Sequence, residues 1–199
     1  MIEDRSAVSI PNEFGVGACI GTGNDALDSL EVSERSIHLE APTPSDEPFL
    51  FATFASTRIE ELAVTGWSEE QTEHFLRMQF EAQRRSYLND LPDAQYSLIR
   101  CGTIPVGRLI VERTAEDIHI VDIALLTQFR KLGIGSILMR RILGEAEQTG
   151  KPVRLFVEKF NPALQWYQRM GFEVTSTGPI YLEMTLPVAE PGSSKPQVA

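Results

Sequence analysis

Arg130, Gly133 and Gly135, with Lys131 and Ser136 beside them, are residues of the types that hold an anion. An apolar run precedes them: Ile118, Ile120, Val121, Ile123, Ala124, Leu125 and Leu126. Ile134, Ile137, Leu138, Ile142, Leu143 and Ala146 follow at i, i+3, i+4, i+8, i+9 and i+12, the pattern of an amphipathic helix. The order is therefore strand, glycine-bearing loop, helix start. The first N–H groups of a helix have no partner inside it and point out at the positive end of its dipole. Glycines let an anion approach that backbone because no Cβ intervenes. Arg130 and Lys131 add charge at the same end, and the usual anion at such a site is a phosphate.

The spacing excludes two phosphate motifs. A P-loop needs four residues between its glycines and a Lys after the second, but only Ile134 separates Gly133 from Gly135, and Ser136 follows directly. A dinucleotide fingerprint needs a small third residue where Leu138 stands. The pattern Arg/Gln-x-x-Gly-x-Gly/Ala is satisfied by Arg130, Gly133 and Gly135, and it resembles the acyl-CoA pyrophosphate loop of the GNAT superfamily of N-acetyltransferases. A second stretch, from Asn161 through Ala163 and Tyr167 to Gly171 and Phe172, resembles the family's segment Asn-x-x-Ala-x-x-x-Tyr-x-x-x-Gly-Phe, with one residue fewer between the Asn and the Ala. Here the Tyr lies four residues after Ala163 and four before Gly171. The resemblance covers about residues 49–186.

That resemblance implies roles for particular residues. Acyl transfer from a thioester to an amine needs a neutral amine, a polarised carbonyl and a proton for the departing thiolate. The main chain of Ile123 and Leu125 would face the pantetheine arm and thioester oxygen. The loop amides of Lys131, Leu132, Gly133, Ile134, Gly135 and Ser136, beside Arg130, would hold the pyrophosphate. Asn161 would bond the cofactor arm or position substrate, and Tyr167 would protonate the sulfur. From spacing alone, Tyr167 shares a helix face with Ala163 and Leu164 and reads as a core ring with a satisfied hydroxyl, while Asn161 before Pro162 reads as a helix cap. Asp122, His119 and Glu158 compete as general base, with a water relay or no base as alternatives. Asp122 in so apolar a strand needs a partner, such as Arg108, or a role in the site. His119 has a suitable ordinary pKa, but its place at the strand start also fits a solvated surface histidine. Thr127 and Leu132 depart from the family pattern, where a Pro and a basic residue often stand.

The expected activity is transfer of an acetyl group from acetyl-CoA, as co-substrate, to a primary amine of a small molecule or protein by direct transfer. The alternatives are a degenerate acyl-CoA-binding module and an aminoacyl-tRNA-acetylating toxin. No metal is implied. Charge bears on the partners: of a net −10, residues 1–48 carry ten acidic against two basic residues, which leaves the remainder close to neutral. A body without a basic excess argues against nucleic acid as partner. Cys19 and Cys101 share no motif, there is no N-terminal signal pattern, and no apolar run is long enough to cross a bilayer. The expectation is a cytoplasmic protein without membrane contact, a homodimer being left open.

Elements must position these residues. The reading is α/β with a mixed sheet, in the order β-α-α-β-β-β-α-β-α-β-β, which is the order of the GNAT fold. It places an acidic, flexible extension at 1–48, the domain at 49–187 and a loose tail at 188–199. Within the extension, Gly21 to Ala26 imitates a dinucleotide loop with Glu40 downstream, but such a site needs a βαβ unit inside a larger parallel sheet, and this one would stand in front of an unrelated domain. Phe49 to Phe54 reads as the first strand. Thr57 with Glu60, and Ser68 with Gln71, have capping-box spacing and open two helices. The second carries Phe75, Leu76, Met78, Phe80 and Ala82 on or near its buried side. Strands follow at 96–101, 106–111 and 118–126, then the helix after the loop, a strand at 153–157, a short helix from Asn161–Pro162 to Met170–Gly171, and strands at 172–175 and 181–186.

Overall fold

Alternation of buried and exposed residues marks the strands, as in Val153, Leu155 and Val157, which are buried while Phe156 between them is not. The computed structural model describes residues 32–187. Its strands are β1 (Ile37–Glu40), β2 (Gln95–Cys101), β3 (Ile104–Arg113), β4 (Ile118–Leu125), β5 (Val153–Glu158), β6 (Glu173–Thr177) and β7 (Tyr181–Leu186). They form a seven-stranded sheet in the order β1-β2-β3-β4-β5-β7-β6. β1 runs antiparallel to β2, β4 parallel to β5, and both β5 and β6 antiparallel to β7. The parallel ladder ends at Ile120 opposite Leu155, although β4 continues to Leu125 and β5 to Glu158. The α/β class with a mixed sheet agrees with the sequence reading.

The chain divides into two units, and β3 and β4 contribute residues to both. In the described part of the first unit (residues up to Pro92, with Tyr96–Leu109 and Ile123–Gly135) the helices are α1 (Glu47–Ala55), α2 (Ile59–Leu62) and α3 (Glu69–Asp90). α1 corrects the expected strand at Phe49–Phe54. A short continuous apolar run has no periodicity that separates a buried strand from a buried helix. The flanks and contacts decide it. Pro48 sits in the first turn, Thr53 Oγ1 donates to the Phe49 carbonyl at 2.9 Å, and Phe51 and Phe54 join Leu76 and Phe80 of α3 in one core cluster.

Two further expectations change in this unit. Thr57 caps no helix, since its hydroxyl donates back to the Phe54 carbonyl at 2.7 Å and α2 begins only at Ile59. The Ser68–Gln71 capping box does form, with reciprocal bonds of 2.9 and 3.2 Å. On α3 only Leu76 and Phe80 are buried, while Met78 is 52% exposed, because it lies about 200° around the helix from Leu76. β1 lies within the stretch that the sequence reading set apart as an extension, and its Glu40 pairs with Arg100 of β2. Cys19, the Gly21–Ala26 lookalike and the tail at 188–199 fall outside the described residues.

The second unit holds the remainder: α4 (Ile134–Thr149) from Ser136 onward, β5 to β7, and α5 (Leu164–Arg169). The predicted stripe on α4 is buried at Ile137, Leu138, Ile142 and Ala146, with Met139 joining it. Arg113 grips Glu145 of α4 through two bonds of 2.6 and 2.9 Å, and Arg154 bonds Asp117 at 2.6 Å. The short helix begins at Leu164 rather than at Asn161–Pro162, and Gly171, at φ 95°, ends its turn as expected.

Two glycines give a paired test of this packing. A Cβ on Gly107 of β3 would lie 2.2 Å from the Ala124 carbonyl oxygen of β4, whereas one on Gly144 of α4 meets nothing within 4 Å. Gly107→Ala must push back the end of β4 and is expected to cost about 1–3 kcal/mol. Gly144→Ala is expected to stabilise by about 0.5–1 kcal/mol. Urea denaturation of the two variants beside the parent measures both signs.

Candidate active site

The loop after β4 belongs wholly to the first unit up to Gly135. A 3-10 turn at Thr127–Phe129 leaves the strand, and Phe129, 1% exposed, anchors it. The backbone then takes positive φ twice, at Lys131 (62°) and Gly133 (86°), before α4 begins at Ile134. Alternating φ signs turn successive N–H groups toward one side, the geometry of an anion-binding nest. Lys131, Leu132 and Gly133 are exposed, and nothing lies within 4 Å of where a Gly133 Cβ would be. With the first amides of a 16-residue helix behind it, this surface fits a diphosphate.

Arg130 spends donors on the chain's own backbone. Its guanidinium turns inward and is half-buried: Nε donates to the Leu125 carbonyl at 2.9 Å, and Nη2 to the Ser56 carbonyl at 3.0 Å and to Ser56 Oγ at 3.3 Å. Burial holds its pKa below the usual arginine value, against the pull of Glu60. The exposed cation of the loop is Lys131. Ser56 carried no signal in the sequence. Gly107 did, since a lone glycine in a strand marks close backbone approach.

In the second unit the structure brings Tyr167 and Asp122 together. Tyr167 on α5 is 7% exposed and meets Phe172 edge-on at 5.8 Å. Burial raises its pKa far above the ordinary phenol value, and the nearby Asp122 charge opposes the phenolate further. The hydroxyl therefore stays protonated throughout the neutral range. Asn161 Oδ1 accepts the Ala163 N–H at 2.9 Å in an Asx turn ahead of α5, whose N-cap is Ala163, so the expected helix cap is replaced by a local turn. Arg108, named above as a partner for Asp122, donates Nη2 to Gln83 at 2.9 Å in the first unit.

His119 and Glu158 belong elsewhere. His119 lies three residues before Asp122, on the opposite face of β4. It is not the solvated histidine its position suggested but 7% exposed, edge-on to Phe156 at 5.7 Å, with Nδ1 3.4 Å from Glu112 Oε2. Glu112 and Phe156 come from neighbouring strands, which local sequence does not reveal. Glu158 accepts from the hydroxyl of Tyr181, its cross-strand neighbour, at 3.5 Å.

The model of the acetyltransferase (GNAT) domain matches residues 63–183. This chain belongs to the GNAT acetyltransferase family. Among solved structures, this GNAT chain is similar to the PaiA N-acetyltransferase of Thermoplasma acidophilum in complex with coenzyme A, at TM-score 0.57 and 18% identity over 75% of this chain and 98% of that one. It is also similar to an acetyltransferase of Thermus thermophilus, at TM-score 0.54 and 22% identity over 77% and 97%. A GNAT family acetyltransferase of Elizabethkingia anophelis with acetyl-CoA bound matches at TM-score 0.50 and 17% identity over 76% and 97%. Among curated proteins, the probable N-acetyltransferase san of Drosophila melanogaster is 29% identical over 73 residues, which span 35% of this chain and 40% of that protein. The described residues of the GNAT chain hold no group of three or more His, Cys, Asp or Glu that could bind a metal ion. No described helix is long and apolar enough to cross a membrane.

The environment of His119 predicts a pH dependence of folding. Burial and the Arg154 charge lower its pKa below 6.5, outweighing Glu112 and Asp117. Above pH 6.5 both folded and unfolded chains keep the ring neutral, and it adds no slope. Below that, the unfolded chain takes up a proton that the folded chain resists, so stability falls with acid until the folded pKa is reached. His119→Gln should flatten the pH dependence of the urea midpoint below pH 6.5, compared with the parent protein.

Proposed function

We propose that this chain transfers an acetyl group from acetyl-CoA to a primary amine of a small molecule or protein, directly and without an acyl-enzyme. The observation that carries this reading is the strand–loop–helix entry, where Lys131 and Gly133 take positive φ ahead of α4 and leave an exposed, open nest of amides. Coenzyme A has the diphosphate such a nest holds, and in its acetylated form supplies the thioester. The amides from Lys131 to Ser136 grip the diphosphate, with the Lys131 ammonium adding charge. The main chain of Ile123 and Leu125 lies past the last parallel pair of β4 with β5, where amides of an extended pantetheine arm can add as a strand would.

Tyr167 holds the proton. Burial and the Asp122 charge keep its hydroxyl protonated, so the proton that the leaving sulfur needs is present throughout the neutral range. Asp122 is the candidate carboxylate whose charge reaches Tyr167, and its role here is to keep that proton in place. Asn161 closes its turn through Oδ1, which leaves its side-chain NH2 to position the cofactor arm or substrate. Among the described residues the one cysteine, Cys101, is buried at the end of β2 with Sγ 3.6 Å from Ser36 Oγ, which supports direct transfer over an intermediate on that thiol.

Thiol release over a panel of small amines, polyamines and peptide amino termini tests turnover and identifies the acceptor class. No release with any of them, while CoA still binds, would replace the enzyme by a binding module. Tyr167→Phe is expected to lower kcat by about 10²–10⁴-fold while leaving the CoA dissociation constant within about twofold, read by steady-state kinetics and calorimetry. Gly133→Ala forces a Cβ into positive φ at a cost of about 1–2 kcal/mol and is expected to weaken CoA binding about tenfold.

A further inference from the structure

We propose that Arg130 is a positioning residue that fastens the cofactor loop to the turn between α1 and α2, and that it does not itself contact the phosphates. This rests on the reading of residues 130–136 as the loop for coenzyme A. Three segments of the first unit meet at one guanidinium. Leu125 is the last residue of β4, and its carbonyl receives Nε. Ser56 is the C-cap of α1, and its carbonyl and hydroxyl receive Nη2. The Ser56 hydroxyl is itself fixed, because it donates to the Thr53 carbonyl at 2.8 Å. Carbonyls at a helix C-terminus lack partners in the helix and carry the negative end of its dipole, so a cation satisfies both at once.

The loop needs such a tie. Lys131 holds φ 62°, a conformation that a residue with a Cβ resists unless its surroundings impose it. Phe129 and Arg130 immediately precede it, one buried as a ring and one anchored through its head group. The donors that the planar fork spends on Leu125 and Ser56 cannot also reach a ligand in front of the loop. Lys131, exposed, is the residue whose charge meets the anion. The family motif's Arg thus acts through backbone it holds. Filling the loop also becomes mechanically linked to Ser56 and the turn that follows it into α2.

Hydrogen–deuterium exchange on the full chain tests the clamp without any ligand. In Arg130→Met, amides of residues 126–136 and of 54–60 should both exchange faster, with those of α3 around Leu76 unchanged. Arg130→Lys, which keeps charge but lacks the fork, should show the same pair of changes to a smaller extent and serves if the Met variant does not fold. Calorimetry with CoA at low and high salt supplies the second readout. Arg130→Met should weaken binding about tenfold with the salt dependence of the parent, whereas Lys131→Gln should reduce the salt dependence itself. Unchanged exchange in either segment, or a reduced salt dependence in Arg130→Met, would overturn the proposal. Failure of the unaltered protein to bind CoA would instead overturn the function reading, while the exchange result still judges the clamp.

Discussion

A backbone that takes positive φ at Lys131 and again at Gly133 within one loop has to be held from behind, and the rest of the site depends on that restraint. The amides there can serve an anion only if they are already aimed when it arrives, since ordering them on binding would consume the affinity they provide. The restraint is built from ordinary parts. A buried ring at Phe129 fixes the entry, the guanidinium of Arg130 ties the carbonyls of Leu125 and Ser56, and the 16-residue helix α4 fixes the exit. The close approach of Gly107 to the Ala124 carbonyl lies one residue before the end of β4.

Electrostatics in the second unit follow a different rule. Burial disfavours whichever form of a group is charged. Tyr167 therefore keeps its proton and His119 gives its proton up more easily, although both rings are 7% exposed. The neighbouring charges act on them differently. Asp122 reinforces the protonated phenol, whereas Glu112 and Asp117 pull against the burial of His119 and do not overcome it. The first arrangement keeps a hydroxyl protonated throughout the neutral range. The second is a polar cluster on the opposite face of β4 that links β3, β4 and β5.

Family membership and the geometry support different parts of the account. The match over residues 63–183 establishes the GNAT family, and the solved relatives, at 22% identity or less, show the fold. Its own residues add a loop nest with an exposed Lys131, a buried phenol near the Asp122 charge, and a buried Cys101 bonded to Ser36.

By itself, the sequence determined the order of strand, loop and helix around residues 118–146, the burial stripe of α4, the capping box of α3 and the glycine stop after α5, all of which the structure bears out. Those features are local. Periodicity, cap chemistry and glycine placement act within a few residues of where they are read. Tertiary structure decided that Phe49–Phe54 is a helix, that Met78 faces water, that His119 is buried, and that Arg130 turns inward to a serine 74 positions earlier in the chain. Each of those outcomes depends on which distant side chain or carbonyl arrives to share the space, and residues far apart in the chain leave no spacing to count.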